Sequence, residues 1–335
     1  MSILACLAPS SPPRAATDNP LRPSFVTATL SPVSHIYGLP RSTEPLTPGR
    51  QPFTARLHLD WASHDTIESA AGTGVLFDGE TQRLTLALSG PLPAGTGGWT
   101  LEAPYVRHAG GSLDQPIDTW HRLLGLPQGG RPIRPRNAVL FRVRDGNGGE
   151  GVFLDRHRSG PGDVALGLRL PLMRGKAGTA PATLGIRLEA PTGSPDHLLG
   201  SGGWDLAAWV GANRSITTAH GEVAVHGAAG LLGMTGSEVL SGLHRNWAGF
   251  GRLAAGFRPW RPITLRGQVD LHSPFYDSPA RPLGGTAGEF RLGAGLDLTG
   301  WGELRLGVSE DLLVETAPDI TFHLAWTVRL RGGPR

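Results

Sequence analysis

Cysteine is almost missing from this chain. Cys6 is the only one in 335 residues, which excludes an internal disulfide and a cysteine-based metal centre. Lysine is as scarce: Lys176 stands alone, and arginine carries the rest of the positive charge. The net charge is only +3 with no basic cluster, so nucleic acid is not an expected partner. No apolar run reaches the roughly 18 residues of a membrane-spanning helix. Long amphipathic helical patterns are absent too, apart from one short one, which argues against a soluble α/β enzyme. There is no Gly-x-Ser-x-Gly elbow, phosphate-binding loop or His-Glu-x-x-His pair. The 12 histidines show no ligand spacing. No catalytic set, metal site or cofactor is therefore expected.

What the chain does have is glycine (49 residues), proline (29 residues) and alternation. From residue 53 onward the dominant period is two, the mark of strands with unlike faces. Phe53, Ala55, Leu57, Leu59 and Trp61 share one face, while Arg56, His58 and Asp60 share the other. Leu84, Leu86 and Leu88 oppose Arg83, Thr85 and Ser89; Val164, Leu166, Leu168 and Leu170 oppose Asp163, Gly167 and Arg169. Leu184, Ile186 and Leu188 oppose Arg187 and Glu189. Ile263, Leu265, Val269 and Leu271 oppose Arg266, Gln268, Asp270 and His272. Phe290, Leu292, Leu296 and Leu298 oppose Glu289, Arg291 and Asp297, and the last run sets Phe322, Leu324, Trp326, Val328 and Leu330 against His323 and Arg329. A strand in a membrane barrel alternates between lipid and lumen in this way and reads as only half apolar, consistent with a mean hydropathy of −0.13. The polar residue of each run is thus a candidate to line a lumen.

The runs predict an all-β, antiparallel transmembrane barrel of about fourteen strands, within a range of roughly twelve to sixteen. They lie near 53–62, 70–78, 82–90, 99–107, 137–145, 163–174, 181–190, 203–214, 218–232, 246–258, 262–272, 287–298, 302–309 and 319–330. Short connections at Asp78–Gln82, Gly175–Ala180, Ser215–Thr218, Arg258–Pro262 and Thr299–Gly302 alternate with long ones at Gly146–Gly162, Pro191–Gly203, Gly233–Arg245, Ser273–Thr286 and Glu310–Pro318. Short periplasmic turns and long external loops are the outer-membrane pattern. This topology puts Trp61, Trp99, Trp204 and Trp247 at external strand ends, and Trp260 and Trp301 in periplasmic turns. Indole rings favour both membrane interfaces.

Two segments depart from the pattern. Residues 108–136 form a periplasmic-side insert in which Leu113, Ile117, Trp120 and Leu124 fall on one helical stripe, with Pro116 in the first turn and Gly125 at the end. This short amphipathic helix is a candidate cap or plug. The Pro-rich stretch 9–52 is expected to be extended, its part 21–52 leading to the barrel (53–330) and able to enter the lumen. Residues 1–20 are expected to be the remnant of an incomplete signal peptide or a disordered tail. Ile3-Leu4-Ala5-Cys6 loosely matches a lipidation box, and the alternative reading places Cys6 in a discarded tail.

Several motifs in order resemble an outer-membrane barrel family catalogued as domain-of-unknown-function family three-one-eight-seven. Asn19-Pro20-Leu21 with Ile36-Tyr37-Gly38-Leu39-Pro40 is similar to its opening. Gly110-Gly111-Ser112-Leu113-Asp114, Trp120-His121, Gly125-Leu126-Pro127 and Gly129-Gly130-Arg131 are similar to its central insert. Glu310-Asp311 and Thr316-Ala317-Pro318-Asp319-Ile320-Thr321-Phe322-His323-Leu324 are similar to its closing hairpin. Gly160-Pro161-Gly162-Asp163, Pro191-Thr192-Gly193 and Gly200-Ser201-Gly202-Gly203 are similar to loops of barrels associated with aromatic-compound degradation. The resemblance implies the fold, a Gram-negative outer-membrane location, and lipid and the barrel assembly machinery as partners. It supplies no activity. One departure concerns the last strand: many such barrels end on an aromatic residue, whereas this chain continues past Trp326 to Gly332-Gly333-Pro334-Arg335.

Four functions are open at this level. A partly plugged passive channel or uptake barrel for a small-molecule solute leads. A non-transporting docking barrel, a rim hydrolase using Asp155-Arg156-His157 or Asp196-His197, and a soluble multi-stranded β protein are the alternatives. A non-enzyme is expected.

Overall fold

A computed structural model describes residues 21–46, 51–93, 96–113, 138–144, 149–173, 180–298, 300–313 and 316–330. Its described strands are β1 (Thr54–Ala70), β2 (Thr73–Pro91), β3 (Gly98–Ala109), β4 (Leu140–Arg144), β5 (Glu150–Leu154), β6 (Arg158–Pro161), β7 (Val164–Met173), β8 (Ala182–Ala190), β9 (Asp205–Thr218), β10 (Gly221–Met234), β11 (Trp247–Trp260), β12 (Ile263–His272), β13 (Ala287–Leu298), β14 (Gly302–Asp311) and β15 (Ile320–Arg329). A single-turn helix, α1 (Arg281–Gly284), and a 3-10 turn at Pro195–His197 complete the elements among the described residues.

Alternation decides the wall. Each strand pairs antiparallel with the next, β3 passes directly to β7, and β15 returns to β1 through Thr54↔Arg329 to Ser63↔Ile320. The result is a closed barrel of twelve strands. Register carries the two faces around it. Leu86, Leu57, Trp326, Leu304, Leu296 and Ile263 stand side by side on six consecutive strands. Three residues along β1, and so on the other face, Arg83, Asp60, His323, Gly307, Gly293, Arg266 and Gly256 form another such row. Arg83, Asp60, His323 and Arg266 of that row are buried, as are Arg291 and Gln268. The opposite face carries a belt of exposed apolar side chains, including Leu253 at 69% and Leu306 at 55%. That is the reverse of a water-soluble fold, where the apolar face turns inward. No described helix is long and apolar enough to cross a membrane.

The strand count differs from expectation for two reasons. The expected turn at Asp78–Gln82 is continuous strand: β1 and β2 run 17 and 19 residues and turn at Ala71 and Gly72, whose φ values are 45° and 85°. Two left-handed residues are what a two-residue hairpin needs. The expected strand at 137–145 contains β4, which stands outside the barrel. It pairs with the far part of β2 (Gly74↔Arg144), β5 pairs with β4, and β6 pairs with the end of β3.

The first miscount also reverses direction. Because β2 is one strand, β3 ends where the long connections lie, so the connection after it leaves from that end and not from the end holding Thr54 and Arg329. The expected periplasmic-side placement of the insert is therefore corrected. Trp99 moves to the termini end for the same reason. Trp61 lies within β1, opposite Gln82 and Phe322, and donates to Glu80 at 2.7 Å. Trp204 and Trp247 flank the long connections and Trp260 and Trp301 the short ones, 49–72% exposed.

Candidate functional site

Residues 21–46 run inside the barrel. They carry four prolines (Pro23, Pro32, Pro40 and Pro45), too many to pair into a sheet. Their backbone groups must find other partners, and charged side chains of the wall supply them. At the termini end, Leu21 N–H donates to Glu222 at 3.2 Å and Arg266 Nε donates to the Arg22 carbonyl at 3.1 Å. Further in, Phe25 N–H donates to Gln268 at 2.8 Å, Arg305 to the Ser24 carbonyl at 2.8 Å, and Arg252 to the carbonyls of Thr27 (2.8 Å) and Arg41 (3.1 Å). At the far end, backbone bonds within residues 31–37 fold the tip: Ser34 and His35 N–H both donate to the Ser31 carbonyl at 3.0 Å. Arg83 holds the His35 carbonyl at 3.0 Å and Asp205 accepts Gly38 N–H at 2.7 Å. The chain then returns: Thr43 bonds His226 at 2.9 Å, and Leu46 N–H donates to Thr183 at 2.9 Å. The segment rises and descends as one loop, bonded to strands around the wall.

Glycine makes room for it. An added Cβ at Gly307 or Gly293 would meet the Phe25 ring at 2.6 and 2.9 Å. The glycines of one wall row are thus the floor under Phe25.

The structure assembles several residues singled out in the sequence. Asp60 is the hub: it takes Arg41, His58 (2.9 Å), His323 (2.6 Å) and Thr27 (3.2 Å). His323 reaches Ser309 at 3.0 Å. Asp270 joins Arg291, Arg252 and Gln268, and Glu289 binds Arg291 at 2.6 Å. Arg187 bridges Glu189 (2.7 Å) and Glu102 (3.2 Å). His272 stacks on Phe275 at 4.5 Å instead of joining Asp270. Arg56, Arg169, Asp297 and Arg329 lie towards the termini end, where Asp297 meets Arg261 at 3.6 Å and Arg329 is exposed. Arg41, Arg252, Glu303 and Arg305 were not singled out. The signal of Arg252, Glu303 and Arg305 is the same alternation, interrupted at glycines; Arg41 lies in the proline-rich segment, which has none.

His58, Asp60 and His323 place one ligand atom each within 4.8 Å of one another, in principle a metal-binding trio. The donor set does not fit a cation. Both Asp60 oxygens are engaged and the Arg41 guanidinium, on Asp60 and 3.1 Å from His58 Nδ1, occupies the approach with its own positive charge.

The far end of the lumen is apolar. Val33, Ile36, Tyr37 and Leu39 of the loop tip pack with Val75 and Phe77 of β2, Phe141 and Val143 of β4, Val152 and Leu154 of β5, and Val239, Leu240, Phe275, Tyr276 and Leu283 of the long connections. Tyr276 donates to the Val33 carbonyl at 2.7 Å. Burial, reinforced by His108 and Arg83, holds His35 well below the ordinary imidazole value, so it is neutral. Burial pushes Tyr37 up to about 12. Leu113, at the start of the expected helix, is buried and donates to Glu80 at 2.5 Å; Ile117, Trp120 and Leu124 lie outside the described residues. Asp155 pairs with Arg156 at 3.0 Å on an exposed loop, and Asp196 and His197 sit in the 3-10 turn.

Towards the termini end the loop leaves a gap of about 80 Å³ against β1, β2, β3, β7 and β8, lined by Arg22, Arg56, Arg169, Arg187 and Glu102 among others.

A family profile matches residues 3–330, nearly the whole chain. The chain belongs to the family described as protein of unknown function, DUF3187. The glycine-rich loops noted in this DUF3187 chain converge in space. Asp163 accepts N–H groups from Thr192 (2.8 Å), Gly193 (2.7 Å) and Ser201 (3.0 Å). Burial pushes its carboxyl up against the opposing pull of those donors. A Cβ at Gly200 would strike Asp163 at 2.4 Å, and one at Gly193 the Leu199 carbonyl at 2.5 Å, so the motifs are one knot beside the apolar end. No curated protein matches the sequence. Among solved structures, the COG4313 outer membrane channel from Pseudomonas putida F1 is similar: TM-score 0.54, 16% identity, covering 88% of this chain and 100% of that one. The Pseudomonas putida toluene transporter TodX aligns with TM-score 0.33 and 11% identity over 91% of this chain and 98% of its own. The NanC porin aligns with TM-score 0.43 and 8% identity over 83% and 99%. The first of these shows a shared barrel fold.

Proposed function

We propose that this DUF3187 chain is a bacterial outer-membrane barrel through which a small solute passes or is taken up, with residues 21–46 as the plug and the long connections outside. The observation that carries this reading is the inverted distribution of polarity: an exposed apolar belt around a lumen of buried charges. Lipid is the solvent that such a belt requires. A twelve-stranded wall encloses more than its own side chains can fill, since about eight strands already suffice for that. The chain fills the surplus with a loop packed at its tip in an apolar cluster and held elsewhere by single hydrogen bonds and ion pairs, none of them part of the wall's strand pairing.

Conductance of the purified full chain in planar bilayers tests the proposal. The intact protein is expected to conduct weakly, and a variant lacking residues 21–46 to conduct steadily. Heat-modifiable migration on a gel confirms that each variant has formed a barrel. Silence of a correctly folded deletion variant would overturn the channel and leave the docking barrel, a reading supported by the apolar end that closes the lumen.

A further inference from the structure

Much of the polar wall is balanced by its own ion pairs; among the described residues, Arg83, which holds the His35 carbonyl, and three arginines of the gap at the termini end have none. Arg305 and Arg266 share Glu303, Arg291 and Arg252 share Asp270, and Arg258 binds Glu222 at 3.0 Å. Among the described residues, Arg22, Arg56 and Arg169 have no carboxylate in ion-pair contact. Among the described residues, Arg56 bonds the Thr327 hydroxyl alone, at 3.1 Å. Its charged neighbours are mostly cations: the guanidinium groups of Arg305, Arg22 and Arg169, with Glu102 as the carboxylate. Glu102 is itself shared with Arg187. These arginines come from three separate parts of the chain, the inner loop, β1 and β7, and they line the same gap, whose remaining lining includes the hydroxyls of Ser42, Thr54, Ser89 and Thr100.

The carboxylates that act on these arginines are Glu102, already shared with Arg187, and the buried Glu44 of the inner loop, which also faces Arg305; guanidinium groups outnumber them, and like charges in excess in a confined, partly desolvated space repel one another. A guanidinium presents a planar fork of donors that suits carboxylate and phosphate oxygens in pairs. Hydroxyls around such a fork supply further donors to an oxyanion and no competing charge. A cationic or apolar solute would gain nothing from this lining. We propose that the gap among Arg22, Arg56 and Arg169 is a binding site for a small oxyanion-bearing solute, a carboxylate or a phosphate. Its wall is formed partly by the plug itself, through Arg22 and Ser42, so an anion seated there contacts both the movable loop and the fixed wall. This deepens the channel reading by naming the solute class, and it is tested by equilibrium binding, which does not require that the barrel conduct.

Calorimetric titration of the full chain in detergent, with inorganic phosphate and separately with succinate, provides the test. Saturable binding of one probe is expected, persisting when sodium chloride is added at matched ionic strength. Arg56→Ala and Arg169→Ala should each weaken it by about tenfold or more, the worth of one charge-assisted bond. Arg169→Lys should recover part of that loss, and Arg156→Ala, on an exposed loop, should leave binding unchanged. Heat-modifiable migration shows that each variant is folded. Absence of saturable binding of either probe, equal competition by chloride, or indifference to both alanine substitutions would overturn the proposal.

Discussion

The two ends of the lumen are built from opposite materials. At the long-connection end the loop tip is one layer of an apolar core, with Val33, Ile36 and Tyr37 packed among Phe141, Phe275 and Tyr276. At the termini end the same loop faces arginines across an open gap. Between them lies a zone of paired charges around Asp60 and Asp270. The contrast teaches where a plug of this kind is fastened and where it is free to yield. Apolar packing is cooperative and costly to open, whereas a cluster of unpaired cations favours the arrival of something from outside. The loop is thus anchored at its tip and responsive at its base.

The largest expected effect lies in the apolar end. Phe141→Ala should destabilise the closed mouth by about 3–5 kcal/mol, the usual cost of emptying a buried aromatic site, because Phe141 is fully buried and packs edge-on against Phe77, His64 and His108. Protease sensitivity of the long connections should rise steeply, while phosphate or succinate binding at the other end should change little. Equal losses at both ends would erase the comparison. Next comes the paired zone. Arg252→Ala removes the donor to two plug carbonyls and one of the partners of Asp270, which keeps Arg291 and Gln268; the two carbonyls left without a donor cost about 2–3 kcal/mol. The expected readout is a conductance increase without a comparable loss of wall stability.

The wall was largely legible in the sequence and the lumen was not, for a physical reason. Alternation is a local signal, so Leu57 against His58, or Phe322 against His323, reveals each strand without knowledge of its neighbours. Asp78-Gly79 failed because an Asp-Gly pair between apolar runs ordinarily makes a hairpin turn. Here Gly79 sits within β2 at φ 141°, its missing Cβ accommodating the Ala109 carbonyl at 3.0 Å and Val139 at 3.3 Å. A contact with a distant segment overrode the local preference. The glycine floor under Phe25 was hidden for a related reason: Gly293 and Gly307 become neighbours only once the register of β13 and β14 is known. Residues 21–52 were put forward as able to enter the lumen and 108–136 as a cap or plug, and the helical stripe of the second, a local signal, says nothing of where either segment docks. The charge pairs across the wall, such as Asp60 with His323, join residues 263 positions apart, beyond the reach of any pattern along the chain.

A pH dependence of intermediate size separates the ends without mutation. His35 is neutral in the fold, its proton affinity lowered by burial and by His108, Arg83 and His64 around it. When the tip undocks, the ring regains an ordinary value near 6.5. The undocked state then binds more protons than the docked one as pH falls, so the docking that His35 contributes is full above about 6.5 and is lost below it, by up to about 1.4 kcal/mol per pH unit. Conductance should rise between neutral and mildly acidic pH, and His35→Phe should flatten that rise. A rise that survives the substitution would place the sensor elsewhere.

The smallest change addresses the seam between core and plug. Tyr276→Phe deletes one hydroxyl and leaves the ring in place. That hydroxyl donates to the Val33 carbonyl at 2.7 Å, and both groups are buried, so the carbonyl left behind has no water to turn to. The expected cost is about 1–2 kcal/mol in docking the tip, seen as brief openings in single-channel records with no shift in the temperature of heat-modifiable migration. The size of this effect relative to Arg252→Ala measures how the hold on the loop is divided. If Tyr276→Phe opens the lumen as readily as Arg252→Ala, the tip is held by its polar bond and not by its packing, and the distinction between an anchored tip and a yielding base falls with it.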